Sequence, residues 1–345
     1  MSALRDFRTI ERSRLDYALV GLIILVIVLG LAKQLGQAGL VAGFAALLTY
    51  IAESPGSLRQ RAGGMLAFAI FCFIQILLVA LVGNSGLPLL ILLFAVSFVC
   101  SWMMGYGIHI AKVAFLCNIW ITILPGMGVT NDLAASLFGF VAGSMLVIVA
   151  SIIPPLLRRI DQNTIGQDDD LVYEPRGYNI STLLGYSLVR AGAITLGGYI
   201  GQQYLEINQF WIAMTVVLIM PPIMDTTLVR GIYRAVGTVL GVIVGFLLVW
   251  LFADNPIILL IFEMIALFLY VYTGKGYVYA VLVFFSSVFI VIQLGLTGVE
   301  MANFGGNERI IATVVGIVIT FVTVLILQPI VRRDSYAAEA ITGQS

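Results

Sequence analysis

Runs of about twenty apolar residues, separated by short polar turns, recur from one end of this chain to the other. That is the length an α-helix needs to cross a hydrocarbon core of roughly 30 Å at about 1.5 Å per residue. The alternating polar and apolar pattern of a membrane β-barrel is absent. Of the 345 residues, 61% are hydrophobic and only 10% charged, which excludes a soluble domain of this size. The expected fold is all-α: a polytopic membrane protein whose first partner is the lipid bilayer.

The pattern predicts about twelve transmembrane helices, at 17–35, 36–52, 62–82, 87–104, 106–124, 134–157, 183–204, 210–224, 232–253, 256–272, 277–296 and 310–330. They fall into a first six-helix set, 17–157, and a second, 183–331, joined by a polar linker at 158–182 that carries Asp168, Asp169 and Asp170. Residues 1–16 and 332–345 flank them. The two sets read as copies of one unit. Glu53 precedes Arg59 and Arg61 as Asp225 precedes Arg230 and Arg234, Gly105-Tyr106 maps onto Gly276-Tyr277, and Asn131-Asp132 onto Asn307-Glu308, at offsets of 171 to 176 residues. Six is even, so both copies enter the membrane from the same side and the repeats are parallel.

Charge sets the orientation. With both termini cytoplasmic, 15 of the 18 Lys and Arg residues fall on the cytoplasmic side; Lys33 and Arg309 fall outside and Arg190 lies within a span. The Arg5, Arg8, Arg12 and Arg14 cluster before the first apolar run, with no small-residue cleavage site after it, reads as a retained first helix rather than a removed signal.

Several chemistries are excluded or lack support. No phosphate-binding Gly-x-x-x-x-Gly-Lys-Ser/Thr loop exists, no His-Glu-x-x-His pattern exists, and His109 is the sole histidine. Cys72, Cys100 and Cys117 lie in apolar runs without paired spacing and read as packing thiols. No enzyme, cofactor, metal site or nucleic-acid partner is expected.

The most informative stretch is 210–241. It starts at Phe210-Trp211 and is broken by Pro221 and Pro222, which remove the N–H partners of the Val217 and Leu218 carbonyls. The break falls roughly 15 Å from Trp211, near a bilayer midplane, where a freed carbonyl must find another donor or face a cavity. Broken helices at that depth point to transport sites. Two charges accompany it. Glu263, in the middle of 256–272, costs roughly 2.5 to 3.5 kcal/mol to insert and is either a candidate proton carrier or substrate contact facing the pathway, or a neutral, hydrogen-bonded acid that locks helix packing. Arg190 either snorkels to the interface or draws anions into the pathway. Asp225 with Arg230 or Arg234, and Glu53 with Arg59 or Arg61, read as structural ion pairs or a cytoplasmic gate. Gly237, Gly241 and Gly245, and Gly139 with Gly143, read as close helix contacts. Tyr270, Tyr272, Tyr277 and Tyr279 suit an interfacial aromatic belt or stacking with an aromatic substrate.

Phe210-Trp211-Ile212-Ala213, Pro221-Pro222, Thr227-Leu228-Val229-Arg230 and Arg234-Ala235-Val236-Gly237-Thr238-Val239-Leu240-Gly241, with Arg309, Thr313 and Gly316 later, resemble the fusaric acid resistance and aromatic acid exporter family. The resemblance implies a bacterial inner-membrane protein exporting small organic, often aromatic, anions at the expense of the proton gradient. In Gram-negative members it also implies cooperation with a periplasmic adaptor protein. Related plant proteins resemble anion channels built from two six-helix units around one pore. Many bacterial relatives carry a large cytoplasmic domain where this chain has only 158–181. The expected function is thus proton-driven anion export, with a passive anion channel or a non-transporting partner in envelope assembly as alternatives; an oligomer is compatible with each.

Overall fold

A computed structural model describes residues 37–53, 58–152, 180–205, 209–220, 227–273, 279–296 and 299–342. Among the described residues there is no strand. The backbone forms eleven α-helices: α1 Gln37–Ile51, α2 Leu58–Val82, α3 Gly86–Met103, α4 Ile108–Ile123, α5 Leu133–Ile152, α6 Ile180–Tyr204, α7 Trp211–Ile219, α8 Thr227–Phe252, α9 Pro256–Thr273, α10 Tyr279–Gly295 and α11 Val299–Thr342. Seven of them, α2, α3, α5, α6, α8, α9 and α11, are long and apolar enough to cross a membrane; α1, α4 and α10 are shorter apolar helices, and α7 has nine residues. Each matches one expected span. The remaining expected span, 17–35, and most of the linker lie outside the described residues.

The helices are apolar on both sides, and that is what marks them as membrane helices. On α2, Met65, Phe68, Cys72, Ile76 and Val79 are buried while Leu66, Ile70, Phe71, Ile74 and Leu81 are exposed. In water such an outer stripe would be an association surface; in a bilayer it meets acyl chains as apolar as itself. The chain is a multi-pass helical membrane protein.

Local signals set several helix starts. Asn255 caps α9, accepting the Ile258 N–H on its side chain, with Pro256 at the first helical position where no donor is missed. Asp132 does the same for α5 through the Ala135 N–H at 2.9 Å. Between α2 and α3, Gly83 and Gly86 adopt φ of 91° and 83°, values that L side chains avoid.

One boundary departs from expectation. The last helix begins at Val299, not near 310, so Asn307, Glu308 and Arg309 lie inside a helix rather than in an outer turn. Polar residues normally signal a turn, but Glu308 and Arg309 are buried, and Arg309 donates to hydroxyls of a neighbouring helix instead of to water. Gly306 lets α11 pass close to Val242.

The chain divides into two compact units, each drawn from three separate segments: 1–76, 131–170 and 233–310 in the first, and 77–130, 171–232 and 311–345 in the second. Within the first, α1 and α5 run parallel, because a methyl on Gly139 would strike the Ala38 carbonyl and one on Gly143 the Ala42 carbonyl. Thr49 Oγ1 donates to Ser144 Oγ along the same seam at 3.1 Å. α8 and α10 also run parallel, with Gly237, Gly241 and Gly245 against Val283, Ser287 and Val291. Both glycine motifs therefore serve close packing, as the small-x-x-x-small spacing implies. Within the second unit, α3 and α6 run antiparallel: Gly105 meets Leu183, Leu93 meets Gly198, and the Gly86 N–H donates to Gln202 Oε1 at 3.2 Å. α6 and α7 form an antiparallel hairpin through Gly197 against Ala213 and Gly201 against Gln209. That register carries α6 past the point where α7 stops.

Candidate functional site: a buried arginine at a broken helix

α7 stops at Ile219, and Met220 leaves helical geometry at φ −101° and ψ 75°. Position 221 is proline, whose ring disfavours the helical conformation for the residue before it and which offers no N–H to the Val217 carbonyl. At about 1.5 Å per residue, nine residues reach roughly 14 Å, half a hydrocarbon core.

Arg190 supplies the missing donors. It lies on α6 opposite the end of α7 and is fully buried. Its Nη2 donates to the Val217 carbonyl at 3.3 Å, its Nε to the Met220 carbonyl at 3.0 Å, and its Nη1 to Ser101 Oγ at 2.8 Å. The Tyr186 hydroxyl also donates to the Met220 carbonyl, at 3.4 Å. Of the two carbonyls the prolines were expected to free, Val217 receives the arginine; the other acceptor is Met220 rather than Leu218. The snorkelling alternative fails, because the side chain turns inward to backbone acceptors.

The polar chain continues through α3 into α4. Ser101 Oγ donates to the Ser97 carbonyl at 2.6 Å, and Ser97 Oγ donates to Asn118 Oδ1 at 2.9 Å. Asn118 is fully buried, and its Nδ2 has no acceptor among the described residues.

The electrostatics are unusual. A buried ion costs several kcal/mol, and a carboxylate is the usual compensation. Among the described residues no carboxylate pairs with Arg190; its partners are two carbonyls and a serine. The C-terminal end of a helix carries partial negative charge, which attracts the cation without cancelling it. Three of about five guanidinium N–H donors are used.

The other expected residues are distributed as follows. Glu53, just after α1, and Arg61 on α2 form a buried ion pair, Arg61 donating from both Nε and Nη2 to Glu53 Oε1, while Arg59 is exposed. Arg230 is half-buried. Arg234 is buried, and its Nη1 donates to the Tyr279 hydroxyl at 3.1 Å. Glu263 is 3% exposed on α9. It belongs to the first unit and Arg190 to the second. Pro221, Pro222 and Asp225 lie outside the described residues. His109 is exposed, and the three cysteines are buried.

Residues 188–323 match the family model described as fusaric acid resistance protein-like. That stretch is fusaric acid resistance protein-like. Neither the curated proteins nor the solved structures gave a match to the chain. The fusaric acid resistance protein-like stretch begins two residues before Arg190, runs through α7 and Glu263, and ends inside α11. It contains every residue from 210 to 241 on which the resemblance rested. Ser97, Ser101 and Asn118 lie outside it, so Arg190 takes part of its surroundings from the other half of the chain. Sequence reasoning passed over these three. The available signal was three polar side chains inside apolar runs, two of them four residues apart and so on one helix face.

Proposed function

We propose that this protein is a transporter of the bacterial inner membrane, not an enzyme, that exports small organic anions, aromatic carboxylates among them, driven by the proton gradient. The observation that carries this reading is Arg190: a fully buried cation at the end of a half-length helix, with no carboxylate partner among the described residues. Its remaining donors suit a carboxylate, which accepts paired N–H bonds from a guanidinium. The Asn118 amide, joined to Arg190 through Ser97 and Ser101, adds an uncharged donor for the same ligand. The family description, fusaric acid resistance protein-like, suits removal of an organic acid.

Glu263 is the candidate proton carrier, since it is a buried carboxylate inside a membrane-length helix. Pro221 frees the Val217 carbonyl, one of the acceptors that hold Arg190, and Pro222 stays a pathway candidate beside it; Asp225, with Arg230 and Arg234, remains a candidate gate on the cytoplasmic side with both termini. A periplasmic adaptor is the expected partner. The two-repeat arrangement draws support from a recurring close contact: Gly139 meets the Ala38 carbonyl, and Gly316, at the corresponding place in the second half, meets the carbonyl of Ile212 and the side chain of Thr215.

The test is uptake of labelled benzoate into inverted membrane vesicles, with and without a protonophore, for the intact protein, Glu263→Gln and Arg190→Gln. Gradient-dependent uptake lost in both variants is expected. Uptake that ignores the protonophore and survives Glu263→Gln would replace the exporter with a passive channel, and full uptake by Arg190→Gln would remove Arg190 from the pathway.

A further inference from the structure

Asn118 sets a second requirement on the ligand that Arg190 takes. Ser97 and Ser101 stand one turn apart on one face of α3, both buried, and each is tied to a different donor group. Ser101 Oγ accepts from Arg190 Nη1 at 2.8 Å, and Ser97 Oγ donates to Asn118 Oδ1 at 2.9 Å. The guanidinium and the amide are therefore offset along α3 by roughly 6 Å, the rise of one turn. All four residues belong to the second compact unit.

Both groups have N–H bonds left to give. The bonds from Arg190 to Val217, Met220 and Ser101 use one N–H on each of its three nitrogens, so Nη1 and Nη2 keep one apiece. Asn118 is fully buried, its Oδ1 is occupied by Ser97, and its Nδ2 has no acceptor among the described residues. Acyl chains offer no acceptor either, and a buried amide N–H without one carries a desolvation cost that a bound acceptor returns.

The two donors call for different partners. A guanidinium is charged and planar and suits a carboxylate. An amide is neutral and suits a carbonyl, an ether or a ring nitrogen. A second carboxylate at Asn118 would be a buried charge beside a neutral donor, which is costly in an apolar interior. Their places in the chain differ as well: Arg190 lies inside the matched stretch 188–323 and Asn118 outside it.

We infer that the ligand is a monoanion with an uncharged hydrogen-bond acceptor about one helical turn from its carboxylate, as across an aromatic ring, and that Asn118 selects it by donating to that acceptor. This rests on the Arg190 reading, which supplies the grip on the carboxylate.

The experiment is isothermal calorimetry on the full-length protein in detergent micelles with two probes, para-acetylbenzoate and para-isopropenylbenzoate. They share one planar shape, and the second has a CH2 group where the first has its acceptor oxygen. The intact protein should bind the acetyl compound about fivefold more tightly, the worth of one hydrogen bond. Asn118→Leu weakens both, because Ser97 loses its acceptor, and should bring their ratio to about one. A ratio that survives Asn118→Leu would overturn the inference and leave Asn118 a packing residue. Should that variant fail to fold, the ortho isomers decide in the intact protein. Their acceptor sits beside the carboxylate, out of reach of Asn118, so their ratio should be about one, and a preference as large as that of the para pair would overturn the inference. Equal binding of the two para probes by the intact protein would also overturn it while leaving Arg190 as an anion site. No saturable binding of either probe would overturn the Arg190 reading itself, and this inference with it.

Discussion

Arg61 and Arg190 are the same residue type at nearly the same burial, 4% and 0% exposed, yet they are held in opposite ways. Arg61 lies on a carboxylate, and the pair is neutral. Arg190 lies on two carbonyls and a serine hydroxyl, and its charge persists. The first arrangement ties the end of α1 to α2 and carries no net charge. The second, among the described residues, satisfies hydrogen bonds without a carboxylate to balance the charge. A buried cation of that kind has a use for an anion, which is why the functional argument rests on Arg190 and not on the more visible ion pair.

The contrast can be broken most forcefully at the pair. Glu53→Ala leaves Arg61 buried without its carboxylate and should cost about 3–5 kcal/mol, read as a large fall in the thermal unfolding midpoint of the purified protein. Adding Arg61→Leu should recover most of the loss. A single variant as stable as the intact protein would mean the pair does not hold α1 to α2.

Ser101→Ala removes one acceptor from a charged donor and should cost about 1.5–3 kcal/mol, less than Glu53→Ala, since two carbonyls still hold the guanidinium. A loss as large as that at Glu53 would make Arg190 another structural arginine.

The next test separates charge from fold. Arg190→Gln keeps donors for the Val217 and Met220 carbonyls but removes the charge, so the unfolding midpoint should move less than in Ser101→Ala while benzoate uptake falls by more than about tenfold, the worth of one lost charge-assisted hydrogen bond. Parallel losses of both quantities would count against an anion role.

The smallest effect is expected at Asn118. Asn118→Ala strips Ser97 Oγ of its acceptor and should destabilise by about 1 kcal/mol, while raising the KM for benzoate more than it lowers the maximal rate. An unchanged KM would detach the α4 amide from the site.

Much of this architecture was legible one residue at a time. The helix break was visible because proline acts on its own neighbours: it removes an N–H and constrains the residue before it, so the end of α7 at Ile219 needs no information from elsewhere. The glycine seams of α5 and α8 were visible for a similar reason, since four-residue spacing places small residues on one face wherever that face then packs. The start of α11 was not, because Asn307-Glu308-Arg309 reads as a turn until Ser286 and Ser287 of another helix are known to lie beside it.

The apolar run lengths by themselves determined an all-helical, multi-pass membrane protein, because crossing a hydrocarbon core is a requirement that each segment meets alone. Only the tertiary structure decided what the charges do. Whether Arg190 reaches outward to the interface or inward to Val217 and Met220 depends on α6 lying antiparallel beside the end of α7, and Ser101, Ser97 and Asn118 join it only because α3 and α4 pack there too. The energy of a buried cation is set by the atoms within a few ångströms of it, and here the atoms it bonds come from other helices, the end of α7 and the last turn of α3.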